Sequence, residues 1–186
     1  MLLTAIVLLL VLSGANSQQD AARAMAANLF SSFSNFFTID ELLKLENAIA
    51  QEVCNGATFQ QIHDSFVTVV AERVSGTKAA QALELQAKLQ NHLGRDYSPV
   101  KNAVKSASNR VFVPILNSVR WLMAKSSCAN GLPAVIQTAN SQLTPQLFQN
   151  LVLAMKQAVQ SVNPNDWTTL KRDLGSVMFF DKYANL

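Results

Sequence analysis

The sequence predicts an all-α fold, a single compact helical domain of about seven to nine amphipathic helices. Apolar residues recur at spacings of three and four along most of the chain, which is the period of a helix with one buried face. Many of these runs begin at a capping residue and end at a glycine. No stretch alternates between apolar and polar residues for six positions between turn residues, as a half-buried strand would.

The domain is expected to follow a cleaved signal peptide, residues 1–17. Residues 1–14, MLLTAIVLLLVLSG, are almost entirely apolar but fall short of the roughly 20 residues that span a bilayer. Small residues at Ala15 and Ser17 then precede Gln18, which is typical of a signal-peptidase site. The sequence therefore predicts a secreted, extracellular protein whose helical domain occupies residues 18–186. An uncleaved membrane anchor is the alternative, and the short apolar length disfavours it.

The low charge and the two cysteines of the chain bear on its partners and on its compartment. Charged residues make up 15% of the chain, below the usual value of about 25%, and the net charge is only +3. The basic residues are scattered, so we expect no nucleic-acid partner. The two cysteines, Cys54 and Cys128, predict a disulfide in an oxidising compartment. Two separate buried thiols are the alternative.

The first two helices are predicted from their capping residues and from their apolar stripes, the apolar residues that recur every three or four positions along one helix face. Asp20 is a candidate cap for a first helix, whose apolar stripe comprises Met25, Leu29, Phe33 and Phe36. Thr38 and Glu41 form a capping box, in which each side chain can bond the backbone amide of the other residue. The helix that follows has a stripe at spacings of three and four and is expected to end at Gly56, where glycine adopts the left-handed conformation cheaply. That stripe comprises Leu42, Leu45, Ile49 and Val53.

The next two helices share this pattern. Thr58 and Gln61 form a second capping box, and the apolar stripe that follows continues to Gly76. Thr77 is expected to open a third helix, which Gly94 closes. Its predicted buried stripe comprises Ala80, Leu83, Ala87 and Leu89 or Gln90.

Prolines mark the later boundaries. Ser98-Pro99 predicts a cap followed by proline at the first helical position, where its missing N–H costs nothing. The pair Ser108-Asn109 is a candidate start of a new helix, and Pro114 is expected to break or kink that helix. Residues 134–140 fit a short helix. Thr144-Pro145 and residues 163–165 are predicted to begin the last two helices.

Catalysis and metal binding find little support. His63 and His92 lie in different predicted helices, and neither a His-x-x-x-His nor a Cys-x-x-Cys pair occurs. The chain also lacks the Gly-x-Ser-x-Gly, phosphate-loop and dinucleotide-binding motifs. We therefore predict no catalytic residues, no metal site, no cofactor and no enzymatic activity.

The apolar residues point instead to a binding site. The chain has ten phenylalanines, and several share one face of the first helix. The apolar stripes are wider than contact with one neighbouring helix requires, which predicts an apolar cavity between helices. The alternative is that these residues pack into an ordinary core. The residues expected to line this cavity are Phe30, Phe33, Phe37, Leu45, Ile49, Phe59, Ile62 and Phe66. Arg73, Arg110 and Arg120 each flank a stripe and are candidate anchors for a carboxylate, or else solvated side chains.

One segment resembles a known family. Residues 36–46, FFTIDELLKLE, place an aromatic pair before a Thr-x-x-Glu helix start, and residues 78–111 are rich in Ala and Leu with a Ser-Pro restart. Together with the signal peptide, these features resemble the nematode fatty-acid- and retinol-binding proteins. The resemblance implies a helical shell around an apolar cavity that binds fatty acids or retinol without turnover.

Three functions are therefore open. The first is a secreted carrier of a hydrophobic small molecule, such as a fatty acid. The second is a secreted interaction or structural protein with a filled core, for which the low charge and glutamine-rich faces argue. The third is transient membrane contact through amphipathic helices, although their polar faces lack the expected density of Lys and Arg. The sequence leaves the oligomeric state undetermined.

Overall fold

The computed structural model describes residues 36–123 and 145–175. These ranges contain six α-helices and no β-strand, which confirms the predicted all-α class. The helices are α1 (Ile39–Cys54), α2 (Phe59–Val69), α3 (Gly76–Leu93), α4 (Tyr97–Met123), α5 (Pro145–Gln160) and α6 (Asp166–Leu174). A π-helical turn, Val70–Val74, extends α2, and a 3₁₀ turn, Gly94–Asp96, joins α3 to α4.

Both predicted capping boxes are present. Thr38 Oγ1 accepts a hydrogen bond from the Glu41 amide at 3.2 Å, and Glu41 Oε2 accepts one from the Thr38 amide at 2.8 Å. Thr58 and Gln61 repeat this geometry at 3.2 and 2.7 Å. The end of α1 is also as predicted, because Gly56 has φ = 82°, in the left-handed region.

The junction between α2 and α3 differs from the prediction. The stripe of α2 runs into the π-helical turn, and the chain becomes extended at Ser75. The Ser75 hydroxyl then accepts from the Lys78 amide at 3.4 Å and caps α3, which begins at Gly76. The predicted start at Thr77 is therefore wrong, since the serine two residues earlier satisfies the first amides of the helix.

The predicted stripe of α3 is also wrong for most of its residues. Ala80 and Ala87 are exposed, and the side chain of Leu83 is 51% exposed. The buried face instead comprises Ala79, Ala82, Leu89 and Leu93. Ala and Leu occur on both sides of this helix, so the apolar pattern alone does not determine which side is buried.

Helix α4 is longer than predicted. It begins at Tyr97 rather than after Ser98, and it continues without interruption through Ser108, Asn109 and Pro114. Of the two outcomes expected at Pro114, the break does not occur, and the kink stays a prediction. An interior proline leaves the carbonyl four residues earlier without its hydrogen bond. Here that residue is Arg110, which is exposed like Pro114, so water can reach the freed carbonyl.

The core surrounds α4, which contacts α1, α2, α3 and, most extensively, α5. Its buried residues lie on both sides of Pro114 and include Val104, Phe112 and Leu116. Helix α5 begins at Pro145, as predicted, and buries a stripe at spacings of three and four. That stripe comprises Phe148, Leu151, Met155 and Val159.

Helix α6 completes the described core by packing against α3 and α5. Trp167, Leu170 and Leu174 form its buried face. Within residues 36–123 and 145–175, no helix combines the length and apolar character needed to cross a bilayer. The predictions of a signal peptide, a helix before Thr38 and a short helix at residues 134–140 lie outside the described ranges.

Candidate ligand-binding groove

A groove of about 330 Å³ lies where the start of the described chain meets α3. Phe36 and Leu85 provide its apolar surface, and Gln81, Glu84 and Lys88 provide its polar edge. The four α3 residues are spaced by three, one and three positions, so they share one face of the helix. The groove therefore combines an apolar surface with a cation at the end nearer the C-terminus of α3.

The aromatic wall of the groove is fixed by two contacts. The Phe36 ring meets the Phe37 ring edge-on, with centroids 4.8 Å apart and planes at 87°. Lys78 Nζ lies 5.4 Å from the centroid of Phe36, a cation–π distance, and 3.9 Å from Glu41 Oε2. The capping box of α1 holds Glu41, so a local helix signal also orders this edge of the groove.

Lys88 connects the groove to a cluster of charges that spans α3 and α6. Its Nζ lies 3.6 Å from Oδ1 of Asp173, whose side chain is only 1% exposed. Arg172 Nε donates to the same oxygen at 3.0 Å, and His92 Nδ1 lies 2.5 Å from Asp173 Oδ2. We call Lys88, His92 and Arg172, together with Asp173, the cationic cluster.

The charge state of this cluster follows from Asp173. Burial pushes the pKa of Asp173 upward, but the hydrogen bonds from Arg172 and His92 outweigh burial and lower it. An ionised carboxylate can only accept hydrogen bonds, so His92 carries its proton on Nδ1. Arg172 Nη2 lies 3.0 Å from this nitrogen, and since both atoms carry protons neither accepts from the other; both approach Asp173 Oδ2 instead. In turn, bonding to Asp173 raises the pKa of Arg172.

A second, polar groove of about 600 Å³ lies at the turn between α1 and α2. Its walls include Glu52, Gln61 and Asp64. Hydrogen bonds from His63 and then Gln60 lower the pKa of Asp64 to about 2, and Lys105 Nζ lies 3.6 Å from it. A larger share of its surface is polar than in the groove beside α3, so it suits a hydrophobic ligand less well.

The predicted cavity-lining residues within the described part of the chain occupy the core. Phe37, Leu45, Ile49, Ile62 and Phe66 are each at most 4% exposed and belong to one packed cluster. Phe59 is the first residue of α2, and Phe30 and Phe33 lie outside the described residues. The two grooves are lined by other side chains.

The predicted carboxylate anchors are dispersed. Arg73 lies exposed in the π-helical turn, where its Nη1 donates to Gln51 Oε1 at 3.2 Å. Arg110 is exposed on α4, and Arg120 lies in the last two turns of the same helix. Neither groove includes Arg73 or Arg110 among its lining residues.

Cys54, the last residue of α1, is half-buried. Cys128, its predicted partner, lies outside the described ranges. The disulfide between them therefore stays a prediction.

The groove and the cationic cluster are not predicted from the sequence. Lys88 and His92 are four residues apart on one helix face, which the sequence does reveal. Arg172 and Asp173 join them only through packing of α6 on α3, and no local pattern predicts that contact. Phe36 was assigned to the stripe of the first helix, although it lies just before α1.

Within the described residues, no group of three or more His, Cys, Asp and Glu side chains is arranged to hold a metal ion. Compared with known protein families, curated proteins and solved structures, the chain has no significant match.

Proposed function

We propose that this chain is a secreted, non-enzymatic protein that binds a hydrophobic small molecule of the fatty-acid class. The observation that carries the proposal is the groove beside α3, in which the apolar surface of Phe36 and Leu85 ends at Lys88. Small-molecule sites are typically concave and largely apolar, with a few polar groups that fix orientation. The groove's volume of about 330 Å³ lies near the lower end of their usual range.

The proposed site differs from the one expected on sequence grounds. The aliphatic chain lies in an outer groove, and Lys88 replaces the arginines as the anchor. Leu85 is partly buried against the core, so its position is fixed before the ligand arrives. A preordered surface of this kind reduces the entropy lost on binding.

A displacement titration tests the proposal on the mature chain, residues 18–186. A fluorescent fatty acid is bound first, and oleate and retinol are then added as competitors. Leu85→Gln should weaken oleate binding about fivefold, because it removes roughly 1 kcal/mol of apolar contact. Leu83→Gln is the matched control, since Leu83 is on the same helix, is 51% exposed and does not line the groove.

Two outcomes would contradict the proposal. One is the absence of a saturable fluorescence signal at micromolar protein. The other is an equal loss of affinity in the Leu83 and Leu85 variants, which would place the fatty acid elsewhere on the molecule.

A filled-core interaction protein is the second candidate function. The observation that favours it is the tight packing of Phe37, Leu45 and Phe66, residues that were expected to line a cavity. Light scattering over a range of protein concentrations tests this alternative. A size that rises with concentration, in a protein that binds no fluorescent fatty acid, would support it over the carrier function.

A further inference from the structure

The cationic cluster lies on the same helix as the proposed lipid groove and begins where the groove ends. Leu85 and His92 are seven residues apart on α3, which corresponds to about 10 Å along the helix axis. Lys88 lies between them, lining the groove and approaching Asp173 at 3.6 Å. An extended amphiphile along α3 would therefore place its tail on Leu85 and its head at the cluster.

The cluster has more positive than negative charge. Lys88 and Arg172 each contribute one positive charge, and Asp173 neutralises one of the two. His92 donates its Nδ1–H to Asp173, so its neutral ring offers a ligand no further N–H. The side chains of Lys88, His92 and Arg172 are 50%, 41% and 61% exposed, so a ligand can reach all three.

Asp173 organises these three side chains. Because it is buried at the contact between α3 and α6, it holds Arg172 Nε at 3.0 Å and His92 Nδ1 at 2.5 Å. Arg172 uses Nε for its shortest contact with Asp173. A guanidinium held in this way still has further N–H donors, which suit the paired oxygens of a phosphate.

Glu84 fixes the direction of the ligand. It lies on the groove's edge one helical turn before Lys88, and among the groove's lining residues it is the one acidic side chain. An anionic head beside Glu84 would be repelled, whereas one beside Lys88 and Arg172 would be attracted. The charges therefore place the head at the C-terminal end of α3.

We propose that the groove and the cationic cluster together bind a single-chain amphiphile with a phosphate headgroup, such as a lysophosphatidate. This inference rests on the proposed function and specifies its ligand class. A phosphate monoester carries a charge of about −1.5 to −2 at neutral pH and several acceptor oxygens, whereas a carboxylate carries −1 and two. Two cations on two helices, Lys88 and Arg172, match the phosphate better than they match the carboxylate.

Competition against the fluorescent fatty acid tests this ligand class, with oleoyl lysophosphatidate, oleate and oleyl alcohol as the three competitors. Their tails are the same, so differences in affinity report the head. We expect lysophosphatidate to bind about tenfold more tightly than oleate, since each additional exposed ion pair contributes up to about 1 kcal/mol. Equal affinity for all three would overturn the headgroup assignment while leaving the proposed function intact. Failure of all three to compete would count against the proposed function itself.

Variants of Arg172 locate the headgroup. Arg172→Gln should weaken lysophosphatidate binding about fivefold and leave oleyl alcohol unchanged, and Arg172→Lys should restore most of the loss. Arg110→Gln, which changes an exposed arginine on α4, is the matched control. An equal loss in the Arg110 variant, or an equal effect of Arg172→Gln on the alcohol, would overturn the assignment.

Inorganic phosphate distinguishes a lipid head from a free anion. We expect millimolar phosphate to compete only weakly with lysophosphatidate, because phosphate makes no contact with Phe36 and Leu85. If inorganic phosphate displaced lysophosphatidate at equal concentration, the cluster would be a free-phosphate site and the amphiphile proposal would be wrong.

Discussion

Two aspartates in the described part of the chain, Asp166 and Asp173, are buried in contrasting surroundings. Asp173 lies among Arg172, His92 and Lys88; burial raises its pKa, but the hydrogen bonds and charges of Arg172 and His92 outweigh burial and lower it. Burial, and secondarily the charge of Asp96, raise the pKa of Asp166. Its Oδ2 has no hydrogen-bond partner among the described residues. The same side chain is therefore stabilising at one position and costly at the other.

Asp173→Asn should lower the free energy of unfolding at neutral pH by about 1–3 kcal/mol, the range for hydrogen bonds to charged groups and for a buried group that loses its partners. The pKa of Asp173 in the folded state lies below its ordinary value of 3.8. Its stabilisation is therefore fully present above pH 3.8 and is lost as the pH falls through the folded-state pKa. Urea unfolding at pH 7 and in steps below pH 4 measures the difference between wild type and variant.

Asp166→Asn is the matched control, and its expected effect has the opposite sign. As the first residue of α6, Asp166 gains about 0.3–1 kcal/mol from the helix dipole, which is less than the roughly 1–3 kcal/mol cost of a buried polar atom without a partner, here Oδ2. We therefore expect Asp166→Asn to stabilise the protein at neutral pH. Equal destabilisation by the two substitutions would show that the surroundings of each carboxylate do not determine its effect.

Among the helices, local signals predicted the starts better than the buried faces. The capping boxes at Thr38 and Thr58 depend on residues three positions apart, so the sequence contains all the information they require. The buried face of α3 depends on which neighbours approach it. Ala79 and Ala82 are small enough for a close approach to the helix, whereas the larger Leu83 remains exposed.

Pro114 illustrates the same dependence on tertiary contacts. An interior proline costs roughly 3 kcal/mol in a helix, which is why a break was predicted. The buried residues Phe112 and Ile115 lie on either side of it and belong to the same core. Burial of large apolar side chains contributes about 1.5–3 kcal/mol each, so packing of both halves of α4 outweighs the local penalty.

Thr58→Ala tests the contribution of a single cap to α2. The substitution removes the acceptor for the Gln61 amide, so we expect it to lower the free energy of unfolding by about 1 kcal/mol. Thr68→Ala is the matched control, because Thr68 is exposed in the last turn of the same helix and alanine has the higher helix propensity. Chemical denaturation of both variants provides the comparison. A Thr68 variant as unstable as the Thr58 variant would contradict the capping explanation.

For the whole molecule, the contacts that matter most for the proposed site join distant parts of the chain. His92 and Asp173 are 81 residues apart in sequence, and their contact depends on the packing of α6 against α3. Composition predicted that apolar surface would be abundant, but not where it would remain open. Five of the predicted lining residues fill the core, and the candidate groove lies at the edge of that core, where Phe36 is a core residue and Leu85 packs against it.

The predicted disulfide would connect the end of α1 to the chain beyond α4, closing a loop of about 75 residues. In the chain-entropy treatment a loop of this length stabilises the fold by about 4 kcal/mol. Cys54→Ser should therefore lower the free energy of unfolding by about that amount in the absence of reductant. Guanidinium unfolding with and without a thiol reductant measures the loss, and the reductant should have little further effect on the variant.

The double variant distinguishes a bond from two separate thiols. If Cys54 and Cys128 are joined, breaking the bond from either end has nearly the same consequence. Cys128→Ser alone, and both substitutions together, should then cost about as much as Cys54→Ser. Two unconnected thiols at distant sites would give effects that add to within about 0.5 kcal/mol. Additive losses would therefore rule out the cross-link, and the stability of the domain would have to come from the packing of α4 against its neighbours.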